Sequence, residues 1–460
     1  MLVVGALGLA ISFWGLFHDI GFIAQPFYAW AWWSYIFLLD GLVARRRKSS
    51  LLTTRRRHLA SILLWSITFW YFFELLNLRY QNWYYVGVFG IGEIADLLAG
   101  MVFGTAAFAT VFMGLFETYE VLTAYELFDK VAIRPRTFAP WVTYAVQVLG
   151  ALMVALSLTF SYYLAPLVWG ALSFLVDPWN YRRGARSLLA ELERGSLGVL
   201  LRLLLAGLAC GLVWESFNFM APQKWIYTVR GLEDLKLFEM PVLGFIGFPA
   251  LALDAFAAYA AIAYLFHGNQ TWENPDDVIQ PLEPRRGLSR KTLLLLVPLH
   301  AAFWASIGLL TMTRNIGSIE LELDHLETLP FRAAAFLETE DIDRPRQFVH
   351  ALRDPERARR VRTGLGLLGL SDAGLVELEH EALLLTHKGI GYHHGQLLRR
   401  LGYRRVEDLA GADPGKLYEQ LEAIRQTPFP GLRPGMVRVW VNAARDEATS
   451  FGDSDRPVSR

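Results

Sequence analysis

Residues 40–52, DGLVARRRKSSLL, recur without a gap at residues 177–189 as DPWNYRRGARSLL. The identical pairs are Asp40/Asp177, Arg45/Arg182, Arg46/Arg183, Ser50/Ser187, Leu51/Leu188 and Leu52/Leu189. Further along, FELLN (73–77) matches WESFN (214–218), and NWYY (82–85) matches KWIY (224–227). The same features in the same order mark an internal duplication. Each copy reads as a paired apolar run, an Asp with a basic loop, and a helix ending in Glu-x-x-Asn. An outer loop with Trp-x-Tyr and a helix rich in small residues complete it.

The surroundings of these segments set the solvent. The chain is 53% hydrophobic and only 19% charged, which suits a bilayer better than water. A hydrocarbon core of about 30 Å needs about 20 apolar residues per crossing. Nine runs fit, near 2–17, 26–40, 58–77, 93–116, 139–158, 162–177, 197–219, 241–266 and 292–313. The second and sixth are short, and each closes a continuous apolar run that could also fold as a tight or re-entrant hairpin. The expected fold is all-α: a polytopic membrane bundle of two parallel four-helix repeats plus one helix, then a small soluble helical domain. The expected boundaries are repeat 1 at 1–135, repeat 2 at 136–267, a loop at 268–291, a last helix at 292–313 and the soluble domain at 314–460.

Basic residues near helix ends are retained on the cytoplasmic side. Alternate loops at 41–58, 117–138, 178–195 and 268–291 hold 18 Lys and Arg, whereas the opposite set holds Arg79, Lys224, Arg230 and Lys236. This predicts a multi-pass protein of the plasma (inner) membrane, its N-terminus cytoplasmic and its C-terminal domain on the outer, periplasmic side. The first 17 residues lack a basic leader and a cleavage site and read as a retained helix. The formal net charge is zero, so nothing at whole-chain level points to a polyanionic partner. Cys210 is the single cysteine, which excludes an intrachain disulfide and a cysteine metal cluster.

Acids inside apolar helices are the candidates for chemistry, because a charge near the bilayer centre costs about 2.5–3.5 kcal/mol on insertion scales. Glu74 and Glu215 occupy equivalent positions, each followed by an asparagine (Asn77, Asn218) on the same helical face. Two readings stand: each Glu and Asn satisfy one another at a helix end, or the two acids line a shared cavity as proton donors. Asp254 lies mid-helix, five residues after Pro249, and is the third candidate catalytic acid. Trp83, Tyr85, Trp225 and Tyr227 are either interfacial aromatics or, with the asparagines, substrate-binding residues. Asp40 and Asp177 read as local ion pairs or helix ends.

The second-copy pattern Asp177, Trp214-Glu215, Trp225, Tyr227 and Pro241 or Pro249 resembles the repeated module of heterodimeric-type lycopene cyclases and related carotenoid-modifying membrane proteins. The resemblance spans 1–267 and implies a small helical fold acting on a long isoprenoid chain by acid-initiated chemistry. Where that family carries Pro-x-Glu-Glu, this chain has MPVLGF (240–245), without acids.

After Arg314 the sequence turns to charged amphipathic helices punctuated by Pro and Gly. The run HKGIGYHHGQLLRRLGYRRVEDLAGADPGKLYEQL (387–421) resembles a helix-hairpin-helix domain of the uncharacterised type with G-I-G, V-x-D-L-A, A-D-P and a late Trp. Those are Gly389–Gly391, Val406–Ala410, Ala412–Pro414 and Trp440. The resemblance implies phosphate contacts through Lys388, Gly389, Ile390, Gly391, Arg399 and Arg400, with Arg404 and Arg405 nearby. Residues 314–460 hold 23 acids against 21 bases, which favours a protein partner over nucleic acid. His387, His393 and His394 read as surface histidines, and no metal is expected. Three functions follow: binding or modification of a long apolar lipid or pigment in the bundle, transport through intramembrane acids, or a membrane-tethered scaffold. The sequence names no cofactor.

Overall fold

In a computed structural model the chain is predominantly helical, and the structure describes residues 1–88, 93–229 and 235–454. Arg230 lies outside the described residues. The chain forms two compact units. One comprises Met1–Tyr80, Met101–Ala221 and Arg230–Leu309; the other comprises Gln81–Gly100, Pro222–Val229 and Leu310–Arg460.

The first unit carries α1 (Leu2–Phe17), α2 (Phe27–Arg47), α3 (Arg56–Tyr80), the end of α4 (Glu93–Phe108), α5 (Thr110–Ala124), α6 (Pro140–Thr159), α7 (Ala171–Arg182), α8 (Gly198–Met220), α9 (Gly247–Phe266) and the start of α10 (Arg290–Asn315). Among the described residues, six segments are long and apolar enough to cross a membrane: Arg56–Tyr80, Met101–Ala124, Pro140–Thr159, Gly198–Met220, Val242–Phe266 and Leu294–Asn315. The protein is therefore a multi-pass membrane protein. The run expected at 162–177 is not one continuous helix. It breaks into Ser161–Leu164 and Ala165–Val168, turns at Gly170 with φ +90°, and resumes as the 12-residue α7. Such a helix rises about 18 Å, short of a full crossing.

The two halves pack alike. Helix α1 lies on α2 as α6 lies on α7, and α5 packs on α2 and α3 as α9 packs on α7 and α8. Small residues permit this. A Cβ at Gly5 would stand 2.3 Å from the Leu38 nitrogen, one at Gly41 2.3 Å from the Leu2 nitrogen, and one at Gly150 2.5 Å from the Leu175 nitrogen. Close backbone approach is how membrane helices gain dispersion contact where lipid is as apolar as their side chains.

The basic loops gather at one end of this unit. Arg46 and Arg47 donate to the carbonyls of Ala124 (3.3 Å) and Thr123 (3.0 Å), satisfying orphan carbonyls at the end of α5. The Ile133 amide reaches the Gly195 carbonyl at 2.8 Å, and the Asn269 side chain donates to Gly184 at 3.1 Å. The approach of Leu2 to Gly41 brings the N-terminus to the same end.

The second unit is not helical throughout. Its strands β1 (Trp83–Val86) and β2 (Lys224–Tyr227) pair antiparallel, with Trp83 opposite Tyr227 and Tyr85 opposite Trp225. These are the Trp-x-Tyr loops, whose aromatic and β-branched residues suit a pleated surface. Residues after α10 extend the pairing: Gly317 donates to Tyr85 at 2.7 Å and Glu320 to Val88 at 2.6 Å. Tyr84, Val86 and Ile226 share a core with Ile390, Leu398, Leu417 and Trp440. The tail helices α11 (Asp372–Thr386), α12 (Gly391–Arg400) and α13 (Pro434–Ser454) thus pack with both Trp-x-Tyr loops in one body.

Candidate functional site

Glu74 and Asn77 on α3, and Glu215 and Asn218 on α8, are each fully buried in the membrane unit, at 0% exposure. The Trp70 indole, one turn before Glu74, donates to its Oε1 at 3.2 Å. That indole meets the ring of Trp214, the residue before Glu215, with centroids 5.2 Å apart. Trp214 in turn meets Trp32 at 5.8 Å, Phe248 at 6.0 Å and Tyr28 at 6.3 Å. Glu74 is thus bonded to an aromatic cluster drawn from α2, α3, α8 and α9, and Glu215 directly follows one of its members, Trp214.

Asp254 is also fully buried, and its surroundings explain it. Its carboxylate accepts the amides of Gly170 at 2.8 Å and Ser173 at 2.6 Å. Helix α7 starts within apolar surroundings, where its first amides have no water to bond, and Asp254 supplies the missing acceptors. Asp40 and Asp177 do the same for loops. The Leu52 amide donates to Asp40 at 2.9 Å and the Ser50 hydroxyl at 3.0 Å; the amides of Leu188 and Leu189 donate to Asp177 at 2.8 and 3.0 Å. Of the two expected roles, local ion pairs or helix ends, the hydrogen bonds favour the second for Asp177, which takes the first two amides of the helix Leu188–Glu193, because a buried carboxylate can be satisfied by fixed N–H dipoles without a second charge.

Trp83, Tyr85, Trp225 and Tyr227 fall in the second unit, as residues of β1 and β2. The Gly389–Gly391 turn lies in that unit too. Gly389 has φ +70° and a Cβ there would stand 2.2 Å from Val86; Gly391 has φ +72° and a Cβ would stand 2.5 Å from Ser318. Ile390 is buried in the same core. The hydroxyl of Tyr84 donates to the carbonyl of Lys388 at 2.9 Å. Arg399 is paired with Glu381 and Glu377, while Arg400 is exposed. Two of the three histidines are not on the surface. His387 lies against the Trp440 carbonyl at 3.0 Å, and burial pushes the fully enclosed His394 imidazole down to about 4. Among the described residues no group of three or more His, Cys, Asp or Glu side chains is placed to hold a metal.

A polar centre at the basic-loop end is absent from the sequence reading. The Arg186 guanidinium forks onto Glu273, Nε to Oε2 at 2.8 Å and Nη2 to Oε1 at 3.0 Å, and also pairs with Glu191. The Tyr119 hydroxyl donates to Glu273 at 3.1 Å. Trp272 stacks on Phe116 at 4.2 Å, and its carbonyl accepts from Arg55, which also pairs with Glu120. Burial favours the neutral form of Glu273, but the Arg186 charge and hydrogen bonds prevail and hold its carboxyl below the usual range. The available signal was TWEN (271–274), a Trp and an acid directly after the last helix of the second copy.

Comparison with protein-family profiles, with curated proteins and with solved structures gave no match.

Proposed function

We propose that this membrane protein binds, and acts by proton donation on, a long apolar lipid of the isoprenoid type at the centre of its two-copy bundle. The observation that carries the reading is the Trp70–Trp214 contact, which joins the helix turn that bears Glu74 to the one that bears Glu215 in one aromatic cluster. Aromatic walls suit an extended polyene or isoprenoid chain, and a carboxyl group desolvated among them is equipped to donate a proton. The matched packing of the two halves and the parallel clasps at Asp40 and Asp177 support a duplicated bundle with the acids at equivalent sites. Asp254 is assigned to the cap of α7 and not to the chemistry. The test is mass spectrometry of lipid co-purified with the chain, compared between the native protein and the Glu74→Gln/Glu215→Gln double variant. The reading expects an isoprenoid-class molecule in the native protein and an altered ratio of substrate to product in the variant. Ordinary phospholipid alone in both would overturn it.

For the tail, the placement of Gly389 and Gly391 against Val86 and Ser318 supports packing with protein in preference to nucleic acid.

A further inference from the structure

Glu117 lies on α5 within a membrane-crossing segment and is fully buried. Among the described residues, neither of its carboxyl oxygens meets an N–H or O–H donor. The carboxyl of Asp40 lies beside it on α2, a helix held against α5 here by the Tyr35–Thr118 hydroxyl contact at 3.1 Å and by Arg47 on the Thr123 carbonyl at 3.0 Å. The two oxygens of Asp40 accept from the Leu52 amide and the Ser50 hydroxyl, donors that equip it to serve as an acceptor. The adjacent cation is committed as well: Arg55 is paired with Glu120 and bonded to the Trp272 carbonyl. Two carboxylates in contact inside an apolar bundle cannot both be ionised, and the repulsion is relieved when one proton lies between them.

We propose that Glu117 and Asp40 form an intramembrane proton-binding site, Glu117 carrying the proton and Asp40 accepting its hydrogen bond. Release of that proton leaves two facing carboxylates. Glu120, one turn further along the same face of α5, and Arg55 lead from the site to the basic-loop end. The charged groups acting on Glu117 are Asp40 from α2, Arg55 before α3 and Glu120 on its own helix. Helix α8, packed on the same helix, presents Cys210 to Thr118 and Arg202 to the ring of Tyr119. Intramembrane carboxyls of this kind serve as proton relays in pumps and transporters, so the site gives the bundle a means of coupling to a proton gradient.

Infrared difference spectroscopy of the full chain in lipid, across a pH titration, tests this. A protonated-carboxyl stretch is expected that disappears in Glu117→Gln, shifts in Asp40→Asn and persists in Glu120→Gln. Superimposable spectra for the native chain and Glu117→Gln would overturn the proposal. So would loss of the band on adding sodium at constant pH, which would make this a cation site. Should Glu117→Gln not fold, isotopically labelled glutamate in a Glu74→Gln/Glu215→Gln chain gives the same answer: a labelled protonated band is expected, and its absence overturns the site.

Discussion

Tyr84 and Lys388, 304 positions apart, are joined by a hydrogen bond from the tyrosine hydroxyl to the lysine carbonyl at 2.9 Å. It fastens the first Trp-x-Tyr loop to the turn before α12. Tyr84→Phe should lower the stability of the second unit by about 0.5–1.5 kcal/mol. Gly389→Ala should cost more, since a methyl group would strike Val86 and the positive φ disfavours any side chain. Limited proteolysis of the full chain, followed by the rate of cleavage after Arg residues in 340–445, reads both effects.

The Arg186–Glu273 pair should be costly to halve. Arg186→Gln leaves a buried carboxylate without its cation, a loss of about 3–5 kcal/mol. The thermal midpoint in detergent should fall sharply for Arg186→Gln and recover in part when Glu273→Gln is added. A double variant whose loss equals the sum of the two single losses would show that the two side chains act independently.

The same pair predicts an acid limb. The folded carboxyl of Glu273 lies below its ordinary value, so the stability it contributes is present above the unfolded value of about 4.3 and is lost as pH falls through the lower folded value. Melting between pH 7 and 3 should decline at the acid end, and Glu273→Gln should flatten that decline.

Asp254→Asn should destabilise without altering chemistry. One carbonyl oxygen would remain for two amides, at a cost of about 1–3 kcal/mol. Co-purified lipid should be unchanged in identity. An unchanged melting curve with altered lipid would move Asp254 from the cap to the site.

Gly41→Ala and Gly150→Ala should behave as a matched pair. Each places a methyl group against the backbone nitrogen of a partner helix, Leu2 or Leu175, and should cost about 1–3 kcal/mol. Unequal losses would show that the hairpins of the two copies tolerate separation differently.

Much of the membrane unit was legible in the sequence because apolar length and repetition are local signals. The recurrence around Asp40 and Asp177 pointed to equivalent loops, and the structure gives both aspartates the same task at Leu52 and Leu189. What escaped depends on partners distant along the chain. WYYV and KWIY are each four residues, too short to declare a strand, and become one only by pairing with each other. The shortness of the sixth run left a hairpin open as an alternative, but the position of the break at Gly170 was hidden because apolar composition continues straight through it. Arg186 and Glu273 looked like ordinary loop charges; only the fold shows that they are buried together. Glu117 was not among the acids singled out from the sequence, because it lies at the end of an apolar run and its neighbour Asp40 comes from another helix.

The pairing of β1 with β2 also dictates an order of biosynthesis. Trp83–Val86 leaves the ribosome before Lys224–Tyr227 has been made, and both precede the residues around Ile316 and Ile390 that complete their core. Once the first copy is made, its Trp-x-Tyr loop must wait with its strand edge unpaired until Lys224–Tyr227 has been synthesised. Assembly of the second unit is thereby deferred to the end of translation, and a chain halted before the tail would display two aromatic strands without the core that shelters them.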